Sequence, residues 1–130
     1  LSAMLLRDVG EDLWRHTDLC PADVDVAGLY DGFTFIAMAW MEAFGFCGKG
    51  ESGAFVEGGH RIALDGELPI NTNGGQLSSG RMHGWGYLPE VCRQLWGEGG
   101  DCQVPGDPQV GIVGSGGGIY AGAILVTKGG

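Results

Sequence analysis

At 130 residues the chain has room for one domain built on one core. Hydrophobic residues make up 44% and charged residues only 18%, a balance that excludes an intrinsically disordered chain. The net charge of −9 argues against nucleic acid or an anionic membrane as a partner.

Leu1 to His16 carries Leu1, Met4, Leu5, Val9 and Leu13 at helical spacing. Pro21-Ala-Asp23 interrupts the pattern as a turn. Val24 to Tyr30 reads as a strand covered on one or both faces. Phe33 to Phe46 is apolar nearly all round and predicts a buried helix, ended by Gly45 and the Gly48–Gly50 stretch. Glu51 to Gly66 gives no assignment. Leu68 to Asn71 reads as a short strand, and a glycine turn leads from it into a helix over Tyr87–Trp96. Gly97 to Pro108 is a loop. Two strands close the chain, Gln109–Val113 and Ile119–Thr127, separated by Gly114-Ser-Gly-Gly-Gly118. Alternating strands and helices with a closing strand pair predict an α/β layered fold whose last two strands form a hairpin.

The most apolar run, Phe33 to Met41, is too short to span a bilayer and is followed by Glu42. Leu1 to Leu6 lacks the basic start and cleavage site of a signal peptide. Cys20, Cys47, Cys92 and Cys102 form no C-x-x-C, and His16, His60 and His83 sit at no zinc-ligand spacing, so no metal site is expected. The chain reads as a soluble cytoplasmic protein with reduced thiols. It begins with Leu1 rather than Met, which suggests a fragment or a processed piece.

Glycine is the anomaly, at 27 residues without a collagen-like period, so the glycines belong to turns and close approaches of backbone. The run Asn71 to Gly84 joins a strand end, a glycine turn and a helix N-terminus, where free N–H groups and a positive dipole end suit an anionic or thioester-bearing ligand. Gly114–Gly118 fails the dinucleotide fingerprint, because it leads into a strand and no acidic residue follows about 20 positions on. A hairpin turn or a set of oxyanion donors remain as readings of it. Tyr30 and Tyr120 are packed aromatics by default; Asp31 is most simply a helix N-cap. Arg81 near a helix start conflicts with the dipole, which points to an anionic partner, either a carboxylate or a phosphate.

Three segments together resemble the C-terminal half of thiolase-fold proteins of the lipid-transfer and sterol-carrier kind. Leu29-Tyr-Asp-Gly-Phe-Thr34 resembles the family's Asn-Glu-Ala-Phe or His-Asp-Cys-Phe motif. Asn71-Thr-Asn-Gly-Gly-Gln-Leu-Ser-Ser-Gly-Arg-Met-His-Gly84 resembles its Gly-Gly…Gly-His-Pro…Gly motif. Gly114-Ser-Gly-Gly-Gly-Ile-Tyr-Ala-Gly122 resembles its terminal Cys-x-Gly-Gly-Gly motif. The resemblance covers essentially the whole chain, so it implies a single thiolase-like C-terminal domain over residues 1–130, a layered mixed sheet with helices, whose N-terminal half is absent. The catalytic residues depart from the pattern. Arg81 stands at the Gly-His-Pro histidine, Gly114 at the second active-site cysteine, and Tyr30 at the Asn or His position. Claisen chemistry needs a thiolate and a base, and neither stands at a matching position.

The chain is more similar to the thiolase-like aldolases of steroid side-chain breakdown, which resemble it in Tyr-Asp-Gly-Phe-Thr and Gly-Gly-Gln-Leu-Ser…Gly…His-Gly. That resemblance implies retro-aldol cleavage of a β-hydroxyacyl-CoA to propionyl-CoA and a steroid ketone. It implies Tyr30 and Tyr120 as the acid/base pair, with Asp31, His83 and Arg81 in support. Gly74, Gly75, Gly116, Gly117 and Gly118 would offer N–H groups to the thioester enolate. A coenzyme A thioester enters as substrate, and no cofactor is expected in this chain. The family implies a homodimer and an OB-fold partner carrying a zinc ribbon, the zinc being the partner's. Two rival readings stand beside it: a thiolase or acyl-CoA acyltransferase in which His83 replaces the missing histidine, and a non-catalytic lipid-binding or scaffolding subunit.

Overall fold

A computed structural model, describing residues 5–129, shows one mixed sheet of three strands. They are β1 (Val26–Leu29), β2 (Val110–Gly117) and β3 (Tyr120–Thr127), in that spatial order. β1 runs parallel to β2, with Val26 opposite Gly111 and Leu29 opposite Gly114. β2 and β3 form the predicted hairpin, paired from Val110–Thr127 up to Gly117–Tyr120. Only Gly118 and Ile119 are left for the turn, and Gly118 takes the left-handed φ of 69° that such a two-residue turn needs.

The loop expected at Gly114–Gly118 is therefore mostly strand. Its first four residues continue β2 because each finds a strand partner: Gly114 lies between Leu29 and Ala123, and Ser115–Gly117 pair with β3 alone. Its missing side chain is used by a neighbouring helix, since a Cβ at 114 would stand 2.7 Å from the Trp40 ring. The strand expected at Leu68–Asn71 shrinks to one parallel bridge, Ile70 to Ala27. Pro69 has no N–H with which to lengthen that ladder.

Five helices surround the sheet: α1 (Leu6–Arg15), α2 (Thr34–Phe44), α3 (Ser52–Val56), α4 (Gly75–Ser79) and α5 (Tyr87–Trp96). The helix expected from Leu1 begins at Leu6; Leu1–Met4 lie outside the described residues. α3 fills the stretch that sequence pattern left unassigned. α1 and α2 pack on each other, and respectively against β3 and β1, whereas α5 packs on β1 and β2. Gly114 faces Trp40 and Phe44 of α2, while Gly28 and Gly111 face Tyr87 and Val91 of α5, so the two helical layers lie on opposite faces. Trp40 and Phe44 are fully buried and stack at 4.8 Å. No helix among the described residues is long and apolar enough to cross a membrane.

α2 is not buried all round. Ile36, Ala37, Trp40, Met41 and Phe44 face the core, but Phe33 and Phe35 are 66% and 49% exposed, with their rings 6.1 Å apart. The sheet and α1 cover only one flank of it. α2 and α5 both end on a left-handed glycine, Gly45 and Gly97, whose neighbours Phe46 and Glu98 close a second hydrogen bond back to Met41 and Arg93.

α1 and α2 approach most closely at Gly10, where a Cβ would collide with the carbonyl oxygen of Ala43. Helix propensity alone would reward Gly10→Ala by about 1 kcal/mol. Overpacking reverses the sign: the variant should unfold at lower urea, destabilised by about 1–3 kcal/mol.

Candidate active site at the carboxyl end of β1

Directly after β1 the chain places Tyr30 and Asp31. Asp31 does not cap the helix that follows it. α2 starts from Phe33 with no side-chain cap. Asp31 turns instead to α4, where its Oδ1 accepts the Gln76 N–H at 2.8 Å, and to α5, where Tyr87 donates its hydroxyl to the same oxygen. The Asp31 N–H returns a bond to the Tyr87 oxygen at 3.2 Å. A helix end with open N–H groups is a good partner for a carboxylate, and Asp31 takes the one at the start of α4. Burial, together with the bond to Asp31, pushes the Tyr87 phenol well above its ordinary value.

Two glycines make this contact possible. A Cβ at Gly28 would stand 2.7 Å from the Tyr87 Cβ, so Tyr87 can cross β1 only over a glycine. A Cβ at Gly75 would collide with Asp31 Oδ2, and Gly75 also needs a left-handed φ of 70°. The role expected for Gly74 and Gly75 as open oxyanion donors is not available in this arrangement. Gly74 N–H already donates to the Asn71 carbonyl at 2.8 Å, and Gly75 N–H to Asn73 Oδ1 at 3.0 Å.

The preceding residue, Asn71, extends the sheet with its side chain. It accepts the Leu29 N–H at 2.8 Å and donates to the Leu29 carbonyl at 2.9 Å, as a neighbouring strand would. Below it, Thr72 and the fully buried Gln94 both donate to Glu90 Oε1, and Gln94 also binds the Cys102 carbonyl and the Val104 N–H. The turn after Asn71 is thus fastened to α5 at a second point.

After α4 the chain returns over the sheet. With its amide turned so that the oxygen faces them, Gln76 accepts the N–H groups of Gly84 and, at 3.3 Å, of His83. Ser115 Oγ, on β2, donates to the His83 carbonyl at 3.1 Å. The side chains of Arg81 and His83 are exposed, and Arg81 has no carboxylate within 4 Å among the described residues.

Tyr30 is 9% exposed, and its ring lies over Gly32, where a Cβ would come within 2.6 Å of the hydroxyl. Its backbone N–H donates to the Gly114 carbonyl at 2.8 Å, while its hydroxyl has no hydrogen-bond partner among the described residues. Tyr120 sits opposite Gly117, three residues further along β2, which is roughly 10 Å of strand. It is 79% exposed at the hairpin tip. Gly116, between them, offers its carbonyl to Trp40 Nε1 at 3.1 Å. Tyr30, Asp31, Gly75 and the His83 turn therefore gather at the carboxyl end of β1, the place where open α/β sheets put their ligands. Tyr120 stands apart from them at the tip. A cavity of about 450 Å³ lies at the opposite end of β1 against Val24, Phe46, Phe55 and Leu68.

Sequence pattern missed Gln76, Tyr87 and Ser115. Tyr87, Val91 and Leu95 fall at helical spacing, so the phenol passes for an ordinary core aromatic. Asn71 carried a usable signal, a short polar residue of the kind that tolerates left-handed backbone directly after a strand.

A model of the thiolase C-terminal domain-like family matches residues 2–127. The chain is 48% identical over 89 residues to the 17-hydroxy-3-oxo-4-pregnene-20-carboxyl-CoA lyase of Mycobacterium tuberculosis, an overlap of 68% of this chain and 23% of that one. It is 34% identical over 118 residues to a steroid side-chain-cleaving aldolase of Thermomonospora curvata, covering 91% of this chain and 29% of the relative. A solved Ltp2-ChsH2(DUF35) aldolase superposes with a TM-score of 0.85 at 35% identity, over 95% of this chain and 32% of that chain. The chain thus spans a third or less of the relatives it matches.

Tyr87→Phe keeps the ring but removes the hydrogen bond to the Asp31 carboxylate and the acceptor of the Asp31 N–H, and should destabilise the protein by about 1.5–3 kcal/mol. The folded phenol titrates above its unfolded value of about 10, so the stability it contributes is complete below that pH and is lost as pH rises through the folded value. Urea melts of the two proteins should accordingly differ most at about pH 8 and converge above about pH 10.

Proposed function

The chain belongs to the thiolase C-terminal domain-like family, and from that premise we propose that it is part of a carbon–carbon lyase acting on a steroid side-chain thioester. The reaction is retro-aldol cleavage of a β-hydroxyacyl-CoA to propionyl-CoA and a ketone. The observation that carries the reading is the closed position 114. A thiolase needs a cysteine side chain there, and in this fold a Cβ at 114 meets Trp40 at 2.7 Å and Phe44 at 2.9 Å. Two relatives named for lyase and aldolase chemistry support it from the side of sequence.

The chemistry needs no covalent acyl-enzyme. A base takes the proton of the β-hydroxyl, the C–O bond becomes a ketone as the Cα–Cβ bond breaks, and the electron pair passes to the thioester enolate. The enolate then takes a proton at Cα. Tyr30 and Tyr120 are the proposed acid and base. The unpartnered hydroxyl of Tyr30 on a buried ring suits a group that meets substrate. Tyr120 is 79% exposed at the hairpin tip, so a further protein surface is proposed to close over it when the site is complete. Gly116, Gly117 and Gly118 are the remaining candidate N–H donors for the enolate. Arg81, an exposed cation in a chain of net charge −9, suits a phosphate of the coenzyme A moiety.

The partner surface is proposed to come from an OB-fold protein bearing a zinc ribbon and from a second copy of the whole protein. The naming of a ChsH2(DUF35) component in the solved aldolase supports the first. The free state of Cys20, Cys47, Cys92 and Cys102 supports a reducing, cytoplasmic setting.

The test is incubation of the full-length protein and its partner with a steroid β-hydroxyacyl-CoA, read by mass spectrometry. Release of propionyl-CoA and a ketone is expected; acyl transfer that requires added coenzyme A would refute the lyase reading. Tyr30→Phe and Tyr120→Phe should each lower kcat/KM by about 10²–10⁴. If both retain the full rate, the tyrosine assignment is wrong.

A further inference from the structure

Thirteen glycines among the described residues adopt positive φ, and only two other residues do so, Asn71 at 52° and His83 at 50°. L-residues with a Cβ avoid this region, so each exception needs a reason. Asn71 supplies its own: the side chain holds both backbone groups of Leu29. His83 does not. Its imidazole is exposed and makes no hydrogen bond or ion pair among the described residues. The backbone of His83, by contrast, is held at its carbonyl by Ser115 Oγ at 3.1 Å, and its N–H faces the Gln76 amide, which accepts it once the amide oxygen is turned toward it. Glycine would meet every backbone demand at this position more easily. It stands immediately after, at Gly84, and three residues before, at Gly80, both with positive φ.

The clamp also fixes where the imidazole is presented. Ser115 lies next to Gly114, whose carbonyl takes the Tyr30 N–H. It pairs with Gly122, and Tyr120 lies two residues away on the same face of β3, roughly 7 Å along the strand. The turn that carries His83 thus crosses the hairpin between the attachment points of the two tyrosines. Strain held by hydrogen bonds and bearing an unpartnered polar side chain is the signature of a ligand contact.

We propose that His83 is a further catalytic residue, whose imidazole hydrogen-bonds an oxygen at the reacting end of the acyl thioester. The inference rests on the reaction proposed above. It departs from the rival in which His83 serves as the base of a thiolase, since glycine stands at position 114 in place of the second active-site cysteine and a Cβ there would meet Trp40.

His83→Gly and His83→Asn both suit a left-handed backbone, so the two variants separate fold from function. In the full-length protein with its partner, both should melt no lower than wild type. Both should lower kcat/KM for propionyl-CoA release by about 10²-fold or more, and weaken the binding of propionyl-CoA measured by calorimetry by tenfold or more. Variants that keep both the rate and the affinity overturn the assignment, as does full activity in the Asn variant alone. A wild-type protein that binds propionyl-CoA through His83 but releases none from the steroid thioester overturns the cleavage reading and leaves the His83 contact standing.

Discussion

The carboxylate of Asp31 is the constraint around which the site is built. It is buried at the end of β1, where an ionised group without partners would cost several kcal/mol. The two donors that satisfy Oδ1 come from different helices, the Gln76 N–H at the start of α4 and the Tyr87 hydroxyl at the start of α5. One side chain therefore ties three elements that are up to 56 residues apart in sequence. Because α4 is only five residues long, its place is set by this bond and by the Asn71 contact rather than by its own helical stability. The turn carrying Arg81 and His83 hangs between the two fastened helices, and its position follows from theirs.

The glycines follow the same logic of approach. Gly28 and Gly111 let α5 lie close on β1 and β2, Gly10 lets α1 meet α2, and Gly114 admits Trp40 to the other face of β2. Each forfeits side-chain burial and costs unfolded-state entropy. The return is proximity: Tyr87 reaches Asp31, and Trp40 reaches the Gly116 carbonyl at 3.1 Å. The glycine excess that first looks like loop composition is in good part a record of helices pressed onto a small sheet.

How legible this was depends on the range of the interaction concerned. Local signals worked. Periodicity located α1, α2 and α5, Gly45 marked a helix end, and the apolar runs around Gly114–Gly118 announced a hairpin. The motif likeness carried the α/β layering and the family, and both stand. Failures came where partners lie far apart in sequence. Asp31 looked like a cap for the helix that follows it and caps one 45 residues away. Gly114–Gly117 looked like loop because Gly114's partner in β1 lies 85 residues earlier and the partners of all four in β3 lie beyond the turn. Gly74 and Gly75 looked like open N–H donors until Asn71 and Asn73 proved to occupy them. A hydrogen bond's second partner leaves no trace in the local pattern of the first.

The same packing bears on how one fold can carry either acyl-transfer or aldol chemistry. At position 114 the thiolase motif calls for a cysteine, but the space its side chain would need is filled here by Trp40 and Phe44, two fully buried rings in stacking contact. Trp40 is in turn held by the Gly116 carbonyl, so it cannot withdraw without breaking its indole hydrogen bond and opening the core. The absence of the second active-site cysteine thus goes with an α2 interface closed against a side chain at 114. Restoring a thiol at 114 alone would overpack the core before it created a reactive group. What the strand end retains is a phenol with a free hydroxyl, an anchored carboxylate and a strained histidine, groups able to move protons and bind oxygen but not to carry an acyl chain. Cleavage through an enolate held by hydrogen bonds rather than as an acyl-enzyme is chemistry that such a set can support.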